Sequence, residues 1–298
     1  MISTKRWWVI GIVIGLLVVS SAATQPQRVV TYGADLTPEE EVIVFRDFPL
    51  PQGIGPKDIK SIKVTNEEEW RLFEGLVPAE QIGTKSVSSV YLEKLEPGAG
   101  IKVETKNLTY ITPHIFANTL ATAGISDARV YATAPQPVSG TAALTGIYKS
   151  FETLTGSSIP SGTKRIGALE LIDTGYLGEK VGPEQAAILV ERCKERLLSV
   201  RITTKTEALR IVDQGVRDQN LKLTPEEKSE LADLLLKIGS LNPDLTRLKT
   251  QLRNFTQRQN ETQPQTAPQS FLSRLIAYIQ SLIKQLVSFV GRIGSGFR

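Results

Sequence analysis

Ser139-Gly140-Thr141-Ala142-Ala143-Leu144-Thr145-Gly146 follows a strand-like stretch and opens a helix-like one. Free backbone N–H groups at such a junction can face an anion, so Ser139, Gly140 and Thr141 are the anion-binding candidates. The segment is not a P-loop, because no Gly-Lys-Ser/Thr follows it, and it is not Gly-x-Gly-x-x-Gly. A nucleophile elbow needs Gly two residues before Ser139, where Pro137 stands. The plainer reading has Ser139 capping the helix while Gly140, Ala142 and Ala143 allow close packing.

Ser161-Gly162-Thr163-Lys164 matches the Ser-x-x-Lys of penicillin-binding enzymes. Those enzymes also need Ser-Asp-Asn and Lys-Thr-Gly, and the chain contains neither. The Pro and Gly residues around Ser161 point to an exposed loop, so the match reads as coincidence. His114, the chain's single histidine, follows Thr112-Pro113 in a helix first turn. Alone it cannot form a paired-His metal site, and it reads as a surface or capping residue. Cys193, the single cysteine, lies on an apolar helix face and reads as a small core residue. One thiol excludes an internal disulfide and every Cys-rich zinc site. The acidic runs at 39–41 and 67–69 sit where helix first turns favour them, without calcium. Asn107, Asn254 and Asn260 match Asn-x-Ser/Thr, a weak pattern. No catalytic residue, metal or cofactor is assigned from these residues.

The elements that would position these groups come in two kinds. Residues 28–155 alternate strands and helices. Strands are read at Arg28 to Gly33, Ile59 to Thr65, Val87 to Leu95, Ile101 to Ile111 and Ala128 to Ala134. Helices begin at Thr37-Pro38-Glu39-Glu40, at Asn66 and at Thr112-Pro113, the last ending at Gly124. Val87 to Leu95 and Ile101 to Ile111 read as a hairpin around Pro97-Gly98-Ala99-Gly100. Ile101, Val103 and Thr105 alternate, but Leu108 and Tyr110 are out of phase, which a bulge at Lys106 or Asn107 would correct. Residues 156–255 read as helical. Ala186, Val190, Cys193 and Leu197 share one helix face, and Thr224-Pro225-Glu226-Glu227 repeats the earlier start signal before Leu231, Leu234, Leu235 and Ile238. The expected class is α+β: a mixed α/β layer domain of about five strands followed by an all-helical region.

Both ends differ from this body. Apolar residues make up 41% and charged residues 22% of the 298, which excludes a wholly disordered or collagen-like chain. The net charge is +4, yet Lys5, Arg6, Arg274, Lys284, Arg292 and Arg298 lie in acid-free ends. Without them 29 basic residues face 31 acidic ones. A nucleic-acid binder would carry its basic stripe on the folded body, so nucleic acid is not expected as a partner. Lys5 and Arg6 precede an apolar run from Trp7 to Val19, then Ser20-Ser21-Ala22-Ala23, which together read as a signal peptide over 1–23. If retained, the segment would act as an N-terminal anchor. Residues 256–270 are rich in Gln, Thr, Pro and Asn and read as a linker. In the tail, 271–293, Leu272, Leu275, Ile276, Ile279, Leu282, Ile283, Leu286 and Val290 share one helical face. Lys284 near the middle argues against a span and for a helix lying in a membrane interface. The same face would serve for packing on the core, for binding an envelope partner, or for pairing with another copy as a homo-oligomer.

Five motifs occur in order: Val29 to Thr37 (VVTYGADLT), Ile82-Gly83-Thr84-Lys85, Gly100 to Thr105 (GIKVET), Leu120 to Gly124 (LATAG) and Ala134 to Gly146 (APQPVSGTAALTG). In these the chain resembles the YpuA-like family, secreted proteins of Gram-positive-type bacteria known only as a domain of unknown function. Glu40 departs from the Gln usual in the family. The resemblance implies export and a cell-envelope setting, and it brings no activity or catalytic residue. The expectation is an exported, non-catalytic binding or structural module, extracellular or at the envelope. The competing expectation is a secreted hydrolase acting on cell-wall material near Ser139.

Overall fold

The computed structural model describes residues 27–241, apart from 79–81, 198 and 201. The signal segment, the linker and the tail face lie outside the described residues. Among the described residues, five strands and eight helices follow in the order β1 (Arg28–Gly33), α1 (Pro38–Asp47), β2 (Lys60–Val64), α2 (Asn66–Phe73), β3 (Ser89–Lys94), β4 (Ile101–Leu108), α3 (Pro113–Thr122), β5 (Ala128–Val138), α4 (Thr141–Thr155), α5 (Ser161–Val181), α6 (Pro183–Leu197), α7 (Lys205–Asp218) and α8 (Pro225–Ser240). This is an α+β fold built on one mixed sheet.

Threonine starts many of the helices for one physical reason. Thr37, Thr65, Thr204 and Thr224 each accept the N–H of a glutamate three residues on, and that glutamate reaches back to the threonine N–H. Two of the orphan donors at the helix end are thereby satisfied. The second helix is capped by Thr65, and Asn66 is its first residue rather than its cap, as the sequence suggested. The Thr65–Glu68 spacing completes the box, and that decides the start.

The sheet order is β2-β1-β3-β5-β4, with β1–β2 and β4–β5 parallel and β1–β3 and β3–β5 antiparallel. The expected hairpin between residues 87–95 and 101–111 therefore does not form, because β5 enters between its arms. Along β5, Ala128, Val130, Ala132, Thr133 and Ala134 are buried, which suits a central strand. β4 alternates buried Ile101 and Val103 with Lys102, Glu104 and Lys106, which suits an edge. The bulge does form: the β4–β5 register shifts between Lys106 and Leu108, and Asn107 there has φ +59°. Asn107 Nδ2 donates to Ala134 O at 2.8 Å across it. β5 also runs on through Pro135 and Pro137, which the sequence placed after the strand. It can, because β3 pairs with it only as far as Thr133, so no ladder on that side needs the missing N–H.

Period-two alternation divides the core. Val30 and Tyr32 of β1 and Tyr91 of β3 face α1, where Val44 and Phe48 close an aromatic-rich layer with Tyr131. Val90 and Leu92 of β3 and Val130 of β5 face the other way, against Ile115 and Leu120 of α3 and Leu144 and Ile147 of α4. Helix α4 lies close on the sheet at Gly146, where a Cβ would meet Thr31 Cγ2 at 3.3 Å. Beyond β5 no strand occurs among the described residues. Leu189, Val190, Cys193 and Leu197 of α6 pack with Val212 of α7 and with Leu231, Leu234, Leu235 and Ile238 of α8. Helix α5 serves both clusters: Ala168, Leu171 and Ile172 join the sheet-side core, and Leu169 and Leu177 pack on the helical one.

Candidate functional site

The β5–α4 junction is a helix N-terminus aimed at a carboxylate of the chain itself. Gly140 caps α4 with φ +98°, a left-handed conformation that glycine adopts without strain. No side chain caps the helix, so Ser139 does not take the capping role that its sequence position suggested. The left-handed turn at Gly140 redirects the chain, and the Ser139 hydroxyl bonds instead to Thr141 Oγ1 at 3.1 Å. Thr141 Oγ1 in turn donates to Glu69 Oε1 at 2.5 Å. Glu69 comes from α2 and is 1% exposed. Burial pushes its carboxyl up to about 7, against the pull of hydrogen bonds from Thr141 and Asn66 and from the Ala142 N–H. The three anion-binding candidates are thus brought together around an internal acid placed where the helix dipole favours one.

His114 is not at the surface. It is 1% exposed, between α3 and α6, with Nδ1 2.6 Å from Glu184 Oε1 and Nε2 3.0 Å from Glu191 Oε2. Burial works to lower its pKa, but the two carboxylates outweigh it and raise the ring to about 9. The imidazolium donates from both nitrogens and neither is left to act as a base. One turn along α3, Asn118 Nδ2 donates to Ala187 O at 2.9 Å and Asn118 O accepts from Lys194 Nζ at 2.7 Å. Lys194 also meets Glu170 at 2.6 Å, both side chains fully buried. Burial raises the Glu170 carboxyl against the attraction of Lys194 and a Thr122 hydrogen bond. This ionic seam joins α3, α5 and α6, and it was not anticipated. Its one visible signal is that Glu170, Glu191 and Lys194 fall on helix faces otherwise filled by apolar residues.

Cys193 lies 0% exposed in the helical core, and burial pushes its thiol up to about 12. The thiolate needed for nucleophilic attack is disfavoured there. Among the described residues no group of three or more His, Cys, Asp or Glu side chains is arranged to hold a metal ion. None of their helices is long and apolar enough to cross a membrane.

Ser161 and Lys164 belong to the first turn of α5 rather than to a loop. They line an open cavity of about 310 Å³ between α2, α4 and α5. Lys164 Nζ pairs with Glu152 Oε1 at 2.8 Å, and Lys149 Nζ pairs with Glu68 at 2.7 Å. Burial works to raise the Glu68 carboxyl, but Lys149 and Thr65 outweigh it and hold it below its ordinary value. The Arg165 guanidinium donates to the backbone carbonyls of Leu72 and Glu74. Arg71, Lys149, Lys164 and Arg165 line the cavity together with Glu68 and Glu152.

The sheet with its α4 junction, the seam and the trailing helices define a fold whose family is known by sequence. A family model described as "Protein of unknown function (DUF1002)" matches residues 32–255, and the chain belongs to that family. Among curated proteins it is 32% identical, over 261 residues, to the "Uncharacterized protein YpuA" of Bacillus subtilis (strain 168), covering 87% of this chain and 88% of that protein. No solved structure matches it.

Proposed function

We propose that this protein is an exported, non-catalytic module of the cell envelope, held at a membrane surface or partner by its C-terminal segment. The observation that carries this reading is how the body spends its reactive side chains. His114 is locked between two carboxylates, Cys193 is sealed in a core, and Glu69 and Thr141 occupy each other. Ser139 stands beside Thr141 without a histidine base, so acyl transfer through a Ser–His pair has no second member. What is left for function is surface. The first 23 residues support export, and the acid-free amphipathic segment at 271–293 supports attachment to an anionic interface.

Export is tested by intact-mass measurement of the protein recovered from the envelope fraction of a Gram-positive host. The expected mature chain begins at Thr24, after Ala23. Recovery of the polypeptide from the cell interior with residues 1–23 intact would contradict the reading.

A further inference from the structure

The sheet has two open edges, and they differ in charge. Among the described residues β2 pairs only with β1, and β4 only with β5. An open edge offers a row of backbone N–H and C=O groups to any strand that can align with it. β2 (KSIKV) carries Lys60 and Lys63 and no acid, so no alignment with its own copy forms an ion pair. Lysines alone guard an edge. β4 (IKVETKNL) is longer, has no proline, and alternates sign along one face as Lys102, Glu104 and Lys106. Lys106 is held by Asp47 at 2.5 Å. Glu104 is exposed between the two lysines and forms no ion pair among the described residues.

We propose that β4 pairs antiparallel with β4 of a second copy of this chain, joining two five-stranded sheets into one. A two-fold interface has to complement itself, because each contact occurs twice with the copies exchanged. Opposed side chains in an antiparallel pair share a face, so the two-fold alignments are those centred on a single residue. Centred on Val103, Lys102 of each copy faces Glu104 of the other, Ile101 faces Thr105, and Val103 meets its own copy. Centred on Glu104, Lys102 would face Lys106, like against like. Centred on Thr105, Glu104 would face Lys106, which Asp47 already holds. That alignment would also run into the bulge, where Asn107 at φ +59° leaves the extended backbone. The Val103 alignment uses residues 100–106 and ends before the bulge. Lys102 has an interaction within its own chain, and its ammonium carries three donors, which leaves room for a second acceptor. The pairing goes beyond the tethering role, involves no residue of the tail, and stands if that role fails.

The test is sedimentation velocity of the full chain, lacking residues 1–23, with amide hydrogen exchange followed in parallel. Between about 1 and 100 μM the monomer is expected to give way to a dimer, as suits a small edge interface. Amides in 100–106 are expected to gain protection over the same range. Lys102→Glu sets acid against acid at two places and is expected to weaken the dimer by about tenfold, and Glu104→Lys by a similar factor. Lys102→Glu with Glu104→Lys exchanges the signs and is expected to restore the affinity to within about threefold. Melting temperatures of the same variants separate lost pairing from lost folding. A chain that stays monomeric at about 100 μM would overturn the proposal. So would a dimer that ignores the single substitutions, or one that the exchanged pair fails to restore. A dimer abolished by Ile279→Glu with Leu282→Glu would place the contact in the tail and overturn it as well.

Discussion

His114 keeps its proton at neutral pH because leaving it neutral would strand Glu191 in the protein interior, 3.0 Å away and without its cation. Its pKa is raised from about 6.5 to about 9 on folding. A raised histidine contributes stability that is complete below the unfolded value, near 6.5, and is lost as pH rises toward 9. Thermal or urea unfolding between those values is expected to lose on the order of 3 kcal/mol from this residue alone. His114→Gln is expected to lower stability at pH 6 and to flatten the profile from 6.5 to 9; an unchanged slope would show that the imidazolium is not the source. Glu69 adds in the same direction at lower pH, since a carboxyl raised to about 7 favours the folded state less as pH climbs from about 4.5 to 7. Lys194 behaves differently. Lys194→Met leaves Glu170 buried and alone and is expected to cost about 3–5 kcal/mol in urea unfolding, whereas Lys194→Met with Glu170→Leu removes both charges and is expected to recover most of that loss. Recovery would show in a double-mutant cycle as a double-mutant cost well below the sum of the two single costs.

At the scale of elements, the local signals were legible and the pairings were not. Thr37-Pro38-Glu39-Glu40 and Thr224-Pro225-Glu226-Glu227 announce their helices, because a capping box is written within four residues. The bulge at Asn107 was legible for a similar reason: a phase slip in alternation needs one extra residue. The hairpin was misread because Pro97-Gly98 turns the chain in either topology. The choice of β5 as the strand between β3 and β4 depends on burial along Ala128–Val138, which is decided by partners 27 to 44 residues away in sequence. Ser139 was misread as a cap because a serine hydroxyl before a helix usually accepts one of its free N–H groups, whereas here Gly140 takes the position through its left-handed backbone. The seam of His114, Glu170, Glu191 and Lys194 was illegible, since helical spacing reports which face a residue occupies and not what meets it. Two glycines test the geometry of the elements. A Cβ at Gly33, at the end of β1, would lie 2.3 Å from Ser86 O and 2.6 Å from Val87 Cα, backbone that cannot move aside cheaply. Gly33→Ala is expected to cost about 2 kcal/mol or more in urea unfolding. Gly162, in the first turn of α5, meets nothing within 4 Å, and Gly162→Ala is expected to gain about 0.5–1 kcal/mol in the same measurement.

At the scale of the whole molecule, the proposed role divides the work between the body and the C-terminal segment. The body is one mixed sheet with helices on both faces, extended through α5 into a helical cluster and closed by buried charge between α3, α5 and α6. Ionic closure of this kind constrains how the helices dock more than it adds to stability. In the proposed role the body presents surfaces, and the C-terminal sequence supplies attachment: Arg274, Lys284, Arg292 and Arg298 with no acid from 262 on, and an apolar face repeated from Leu272 to Val290. The attachment follows electrostatics and apolar burial together, so it should weaken with salt without vanishing. The most direct measurement is flotation of the full chain, lacking residues 1–23, with vesicles of phosphatidylglycerol and phosphatidylcholine, beside a chain ending at Thr256 and a chain carrying Ile279→Glu and Leu282→Glu. The account expects the intact chain to float with anionic vesicles, less so at high salt, and both altered chains to stay at the bottom. Flotation of the chain ending at Thr256 equal to that of the intact chain would contradict it.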